Sequence, residues 1–306
     1  MNLKKILLSI LIVIAVNSTI AFILFAMEEE FKPFRVGLLP DIQYADKPDS
    51  KTRFYRSSKQ KLEKAVQQLN QDSMAFSIVL GDLVDEGPKD LAPINQQLKQ
   101  LHSPYYTLLG NHDYPKIFEK DLHKKFGLEE AYNSVHKMGW LFILLNTNDL
   151  ASYAVEKGSR KEKEYLKLKE GLEKDGRRNL QDWNGGIGKD QIEWLKGQLH
   201  VAGVRGNPVI IFTHHPLLPE NGLETLNNRE ILEIIKSHNM DHKIGIRAVI
   251  SAHHHPGNYV VQDGVPFITL EGMVETQENA FGYLEIFKDK VLLRGYGRMT
   301  DRIITW

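Results

Sequence analysis

Five short segments of this 306-residue chain carry side chains that bind metals or move protons, and they share a local pattern. Each follows directly on an apolar run. VGLLP leads into Asp41-Ile42-Gln43, FSIVL into Gly81-Asp82-Leu83-Val84-Asp85, and YYTLL into Gly110-Asn111-His112-Asp113. VIIF leads into Thr213-His214-His215-Pro216, and AVIS into Ala252-His253-His254-His255. Half of the twelve histidines sit here. One aspartate after a strand is ordinarily a turn former. Five such coincidences point to a metal site instead. Carboxylate, amide and imidazole donors without a thiolate suit Mn, Fe or Zn, with Mg a further fit. The donors are too many for one ion and about right for two. A pair of divalent ions roughly 3.5–4 Å apart is a device for hydrolysing phosphate esters, one ion activating water while both clamp the phosphoryl oxygens.

Such a site needs elements that bring five distant segments together. The apolar runs, with LFILL at 141–145, have the length of buried strands. Helical patterns separate several of them: Leu62, Ala65, Val66 and Leu69 fall at i, i+3, i+4 and i+7, and Ile231, Ile234 and Ile235 repeat the theme behind Asn228 as N-cap. Apolar strands alternating with helices predict an α/β sheet covered on both faces. Ligands of such sheets bind outside the carboxyl ends of the strands, where the five segments lie. After residue 256 the pattern changes to antiparallel hairpins: Asp263-Gly264 interrupts NYVVQDGVPFITL, and YLEIFKDKVLLRGY forms a second pair, in a second sheet or a mixed one. Residues 156–178 are dense in Lys, Arg and Glu, with Tyr165, Leu168 and Leu172 on one stripe. They read as a solvated amphipathic helix in a charged insertion at about 151–182.

Composition narrows the function. Lys and Arg (39) balance Asp and Glu (39), so no net field argues for a nucleic-acid partner. The absence of cysteine excludes thiolate catalysis, Cys-ligated zinc and disulfides. Lys4 and Lys5 precede a mostly apolar stretch at 6–27, and Glu28–Glu30 follow. About 20 such residues span a bilayer, with the lysines on the cytoplasmic side. Residues 1–30 are therefore expected to be an uncleaved membrane anchor, with a cleaved signal peptide as the rival reading. In either case residues 31–306 are a catalytic domain on the extracytoplasmic side.

The five segments resemble the calcineurin-like metallophosphoesterase superfamily, whose pattern is D-x-H, GDxxD, GNH[DE], a strand-end His and GHxH. Ala252 replaces the usual Gly and Pro256 follows the last motif. More narrowly, DIQYAD, TRFYRSS (52–58), WNGGIGKDQIEWL (183–195), LEGMVET (270–276), AFG (280–282) and GRMTDRI (297–303) look like the manganese-dependent ADP-ribose/CDP-alcohol diphosphatases, over about residues 34–305. That resemblance implies two packed mixed β-sheets flanked by helices. It implies that Asp41, Gln43, Asp82 and His255 hold one metal, and that Asp82 bridges to a second held by Asn111, His214 and His253. His112 would stabilise or protonate the leaving phosphate oxygen, and Asp85 would orient its imidazole. Asp113 is read as closing the loop, and His215 and His254 as standing outside the ligand set.

The implied reaction is attack on one phosphorus of a small-molecule nucleotide diphosphate by a hydroxide bridging the two ions. Gln43 stands where the superfamily has His. Its neutral amide oxygen is a weaker, harder donor that favours Mn²⁺ over Zn²⁺, unless Gln43 stands behind a ligand without touching the metal. Arg53 and Arg56 are candidates for the second phosphate, with structural ion pairs as the alternative. Asn184, Gly185 and Gly186 are candidates for the nucleotide side, with turn formation as the alternative. Arg298 and Arg302 read as surface or interface pairing. A cyclic-nucleotide phosphodiesterase or a phosphomonoesterase would use the same metals, and a non-catalytic scaffold would be expected to have lost ligands.

Overall fold

Each apolar run becomes a strand in the computed structural model, which describes residues 31–306; the expected anchor at 1–30 lies outside the described residues. Among the described residues no helix is long and apolar enough to cross a membrane. Strands β1 (Phe34–Leu39), β2 (Phe76–Leu80) and β3 (Tyr105–Leu108) run parallel. Antiparallel strands β10 (Ala280–Ile286), β11 (Lys290–Gly297) and β12 (Arg302–Thr305) extend this sheet on the β1 side, giving the order β12-β11-β10-β1-β2-β3.

The second sheet has the order β4-β5-β6-β7-β9-β8. Its strands are β4 (Asn133–Lys137), β5 (Trp140–Leu144), β6 (Val209–Phe212), β7 (Ile246–Ser251), β8 (Pro256–Gln262) and β9 (Val265–Glu271). The late hairpins therefore form no sheet of their own; one completes each sheet. Asp263 and Gly264, both at positive φ (51° and 76°), make the tight turn between β8 and β9. The edge strands β4 (NSVHK) and β12 (RIIT) lack a long apolar run and left no clear pattern in the sequence.

The two sheets pack face to face through aromatic rings. Phe142 of β5 meets Phe34 of β1 and Phe76 of β2 edge-on, at centroid separations of 6.2 and 5.1 Å. Helices cover the outer faces. On the first sheet, α1 (Ser58–Gln71) and α2 (Leu91–Leu98) bury Leu62, Ala65, Val66, Leu69, Ile94 and Leu98 against residues of β1 and β2. A short α3 (Leu122–Lys125) follows β3. On the second sheet, α5 (Lys189–Arg205) and α6 (Asn228–Asp241) bury Ile192, Leu195, Leu199, Ile231 and Ile235. The charged α4 (Arg160–Lys174) buries only Leu172. Helix α6 begins at Asn228 with Asn227 before it, one position from the expected cap. The Asn228 side chain is instead buried, donating to the carbonyl of Leu217 at 3.0 Å. Two mixed sheets flanked by helices, with parallel strands at the centre of both, put five carboxyl ends at one edge.

Candidate metal centre

The loops leaving β1, β2, β3, β6 and β7 are tied to one another there by backbone bonds. The N–H of Gln43 donates to the Asp82 carbonyl at 2.6 Å, and that of Ala252 to the His214 carbonyl at 3.0 Å. Asp82 Oδ1 accepts the His112 N–H at 2.9 Å, and Asp41 Oδ1 accepts the His253 N–H at 3.1 Å. Asp113, fully buried, accepts the N–H groups of Leu83, Val84 and Gly110 at 2.8–3.1 Å and so locks the second loop to the third. A Cβ at Gly110 would lie 2.1 Å from Asp82 Oδ1 and 2.6 Å from His214 Cε1, so only glycine fits where these loops cross. Asp41, Gln43, Asp82 and His253 adopt left-handed backbone conformations, with φ of 44°, 45°, 48° and 69°. Each costs on the order of 1–3 kcal/mol and persists where surroundings over-determine it, as at functional sites.

The donor atoms converge. Single ligand atoms of Asp41, Asp82 and His214 lie within 4.8 Å of one another. Asn111 Oδ1 is 3.2 Å from His214 Nε2 and 3.1 Å from His253 Nδ1. The Nδ1 of His214 faces the Leu80 carbonyl at 2.8 Å; donating its proton there leaves Nε2, 3.5 Å from Asp82 Oδ2, as a lone-pair donor. His255 Nδ1 is likewise engaged, by Glu275 Oε2 at 2.9 Å, which leaves its other nitrogen free. Asp41 Oδ2, Gln43 Oε1 and His253 Nε2 are buried without a hydrogen-bond partner. Orphaned buried polar atoms cost about 1–3 kcal/mol each. A buried cluster of carboxylate, amide and imidazole groups with three of its atoms left unpartnered fits divalent cations.

His215 also lies near His214 and His253, but its nitrogens are committed. Nε2 donates to the Trp183 carbonyl (2.9 Å), and Nδ1 accepts from the Thr147 hydroxyl (2.8 Å), which in turn accepts the His215 N–H (3.2 Å). Burial and the neighbouring His214 push its pKa down to about 3 and keep it neutral; the commitment of both nitrogens sets it apart from the unpartnered donors. His254 is half-buried, and its N–H turns back onto Ala252.

Gln43 is oriented by Asp85: its Nε2 donates to Asp85 Oδ1 at 2.5 Å, so Oε1 points elsewhere. The same carboxylate receives His112 Nδ1 at 3.0 Å and the ammonium of Lys47. Burial works against ionisation of Asp85, but these donors hold it well below the usual carboxylate range. Burial also opposes charge on the half-exposed His112, yet Asp82 and Asp85 outweigh it and raise the pKa above that of a free histidine. His112 therefore holds a proton more readily than a free histidine, with one nitrogen tied down and the other placed to donate.

The calcineurin-like phosphoesterase family model matches residues 34–257, the span that holds all five segments. The chain belongs to that family. This phosphoesterase is 29% identical to the manganese-dependent ADP-ribose/CDP-alcohol diphosphatase of Mus musculus, over 89% of this chain and 93% of that one. It is 28% identical to the Homo sapiens enzyme of the same name, with the same coverage. The crystal structure of a dimetal phosphatase from Danio rerio superposes with a TM-score of 0.78, at 24% identity, covering 89% of this chain and 99% of that one, and shares its fold. The phosphoesterase is a metal-dependent hydrolase, and its site is built for two divalent ions, as read from the sequence.

The outlying candidates separate. Arg53 is half-buried with no ion-pair or hydrogen-bond partner for its guanidinium among the described residues, and it acts electrostatically on Glu275, the partner of His255. Arg56 is exposed and paired with Asp46 at 2.8 Å. Asn184 is buried and donates to the carbonyls of Asn179 and Gly222, at 2.8 and 2.9 Å. A Cβ at Gly185 would sit 2.3 Å from the Thr147 carbonyl oxygen, so that glycine admits a backbone crossing. Both are used inside the fold. Arg298, read as surface pairing, instead donates to the Gly272 carbonyl at 2.7 Å. Lys47 and Glu275 had no role in the sequence reading. Glu275 lies in LEGMVET with no local sign that it faces His255, and Lys47 is one basic residue in a charged loop.

Proposed function

We propose that this phosphoesterase hydrolyses the pyrophosphate of nucleoside diphosphate-linked compounds, of the class of ADP-ribose and CDP-alcohols, with two divalent ions, Mn²⁺ foremost. The observation that carries the reading is the buried set of unpartnered donors on Asp41, Gln43 and His253, gathered with Asp82, Asn111 and His214 beside His112, whose hold on a proton Asp82 and Asp85 strengthen. The substrate class is supported by the relatives' names and by their alignment along nearly the whole chain.

Asp41, Gln43, Asp82 and His255 would hold one ion; Asp82, Asn111, His214 and His253 would hold the other. When bound, the pair supplies Lewis-acid stabilisation of phosphoryl charge and a water of lowered pKa. The chain's own residues do the rest. Asp85 fixes the His112 ring through Nδ1, and the opposite nitrogen delivers a proton to the bridging oxygen as it leaves phosphorus. Asp85 also turns the Gln43 amide so that oxygen, not nitrogen, faces the donor cluster. Arg53 meets the second phosphate. The products are a nucleoside monophosphate and a phosphorylated sugar or alcohol.

The segment of residues 4–30 supports a membrane-anchored or exported enzyme with its catalytic domain outside the cytoplasm. Protease added to intact spheroplasts should then digest the domain, and full protection would refute this placement.

The activity is tested with the full chain stripped of metal and resupplied with Mn²⁺, Mg²⁺ or Zn²⁺. It is offered ADP-ribose, CDP-choline, cyclic AMP and a simple phosphomonoester, with products resolved chromatographically. AMP and CMP from the first two, restored best by Mn²⁺, is the expected result. Turnover of only the cyclic or monoester substrate would overturn the substrate class. No turnover by folded protein with any metal would return the scaffold reading.

A further inference from the structure

Lys61 of α1 is a buried cation that the proposed chemistry does not use. It is 5% exposed, and its ammonium donates to the carbonyls of Met273 and Thr276, with no carboxylate in contact. Burial, and the charge of Arg298 nearby, push its pKa down to about 8. Arg298 donates from Nη2 to the Gly272 carbonyl at 2.7 Å, and its Nε is buried without a partner. A buried ammonium in contact with carbonyls only, beside a partly buried guanidinium, is a costly arrangement for a fold that had apolar alternatives. Both hold one irregular segment, Gly272–Thr276, which follows β9.

The bonds that segment's backbone makes to the rest of the chain show what it joins. Its N–H groups reach the metal side: Gly272 to the His255 carbonyl (3.1 Å), Met273 to Pro40 (3.1 Å) and Val274 to Asp41 (2.9 Å). Its side chain Glu275 holds His255 Nδ1 at 2.9 Å. At the other end, the Thr276 N–H donates to Thr52 at 2.6 Å and Val274 accepts from the Phe54 N–H at 2.8 Å, bracketing Arg53. The carbonyls of Gly272, Met273 and Thr276 go to the two cations. One segment thus touches two residues of the donor cluster and the strip of chain that carries the unpaired arginine.

We propose that Lys61 and Arg298 are positioning residues: by clamping Gly272–Thr276 they set Glu275 against His255 and hold Arg53 in register with that half of the metal centre. The inference rests on the metal centre proposed above. Partners that orient a metal-ligating histidine typically govern metal affinity by 10–100-fold. Loosening the clamp should therefore weaken one ion selectively and misplace Arg53.

The test titrates Mn²⁺ alone into the metal-free full chain and into Lys61→Met, Lys61→Arg and Arg298→Gln. For the unaltered chain two equivalents should bind. In Lys61→Met one equivalent should weaken by about 10–100-fold while the other holds. With Mn²⁺ saturating, KM for the pyrophosphate substrate should rise more than kcat falls. Lys61→Arg, which keeps the cationic donors, should restore both. A purely structural lysine predicts otherwise: an apolar side chain of similar length would leave the isotherm and KM unmoved and would hold or raise the denaturation midpoint. That outcome in folded protein overturns the proposal. If Lys61→Met does not fold, Arg298→Gln decides it by the same isotherm. An unaltered chain binding fewer than two Mn²⁺ would overturn the metal-centre reading instead.

Discussion

Replacing Gln43 by glutamate changes one atom's chemistry at almost constant shape, and the structure sets what should follow. The Gln43 Nε2 donates to Asp85 Oδ1 at 2.5 Å, at a site with no solvent exposure at residue 43. In Gln43→Glu an oxygen replaces that nitrogen. Two ionised carboxylates at that separation repel by about 7 kcal/mol at an effective dielectric near 20. The pair avoids this by keeping a proton, because like charges so close do not both ionise. Holding a glutamic acid neutral at pH 7 against an ordinary pKa of about 4.3 costs about 1.36 kcal/mol per unit, or roughly 4 kcal/mol. That is the ceiling on the destabilisation of metal-free protein. It should shrink toward zero near pH 4.5, since the unfolded state then also carries the proton, and grow as pH rises. The assay is urea denaturation of metal-free wild type and Gln43→Glu across pH 4.5–8. Mn²⁺ should restore more stability to the variant, because a carboxylate is a better partner for a hard cation than an amide. Equal stability at pH 8, with no pH-dependent gap, would show that the Gln43 nitrogen does not face Asp85, and the assigned direction of its oxygen would fall with it.

Other perturbations read other parts of the site. His112→Asn should lower kcat by about 10²–10⁴-fold with little change in KM, the usual worth of a positioned acid; the loss should be smaller for an ester with a good leaving group such as p-nitrophenol. Arg53→Ala should raise KM for a pyrophosphate substrate several-fold while Arg56→Ala, exposed and paired with Asp46, leaves it unchanged; steady-state kinetics of the two variants side by side checks the assignment. Asp113→Ala strips three backbone N–H groups of their acceptor and should cost about 3 kcal/mol or more in denaturation experiments. His238, buried on α6 beside His242 and Asp241, has its pKa pushed down to about 4 by burial and then by His242. The unfolded chain takes up that proton first, so stability should fall as pH drops from about 6.5 toward 4, and His238→Phe should flatten that slope in a pH series of unfolding midpoints.

Much of this centre was legible in the sequence because its chemistry sits at strand ends, and apolar runs announce where strands end. Asp41, Asp82, Asn111, His214 and His253 follow such runs within a few residues, and parallel pairing puts those ends on one edge. What commits both nitrogens of His215 was not legible, since its partners Thr147 and Trp183 lie in other loops. What the sequence hid is long-range and side-chain-specific. Lys47 on Asp85, Glu275 on His255 and Lys61 on the segment after β9 join loops that have no periodicity to read. Asn184 and Gly185 looked available for a ligand because asparagine and glycine serve turns, crossings and ligands alike. Their backbone partners at Asn179, Gly222 and Thr147 emerge only once the loops are packed. The edge strands β4 and β12 were missed because each buries only one residue and so has no buried run to read.

The proposed metal centre is a pair of divalent ions sharing Asp82. Electron paramagnetic resonance of the metal-free full chain, titrated with Mn²⁺, addresses it directly. Two equivalents should bind and give the broadened, multiline spectrum of a spin-coupled pair, and Asp82→Asn should collapse it to uncoupled ions. Saturation at one equivalent, or only the six-line signal of isolated Mn²⁺ at every ratio, would contradict the account.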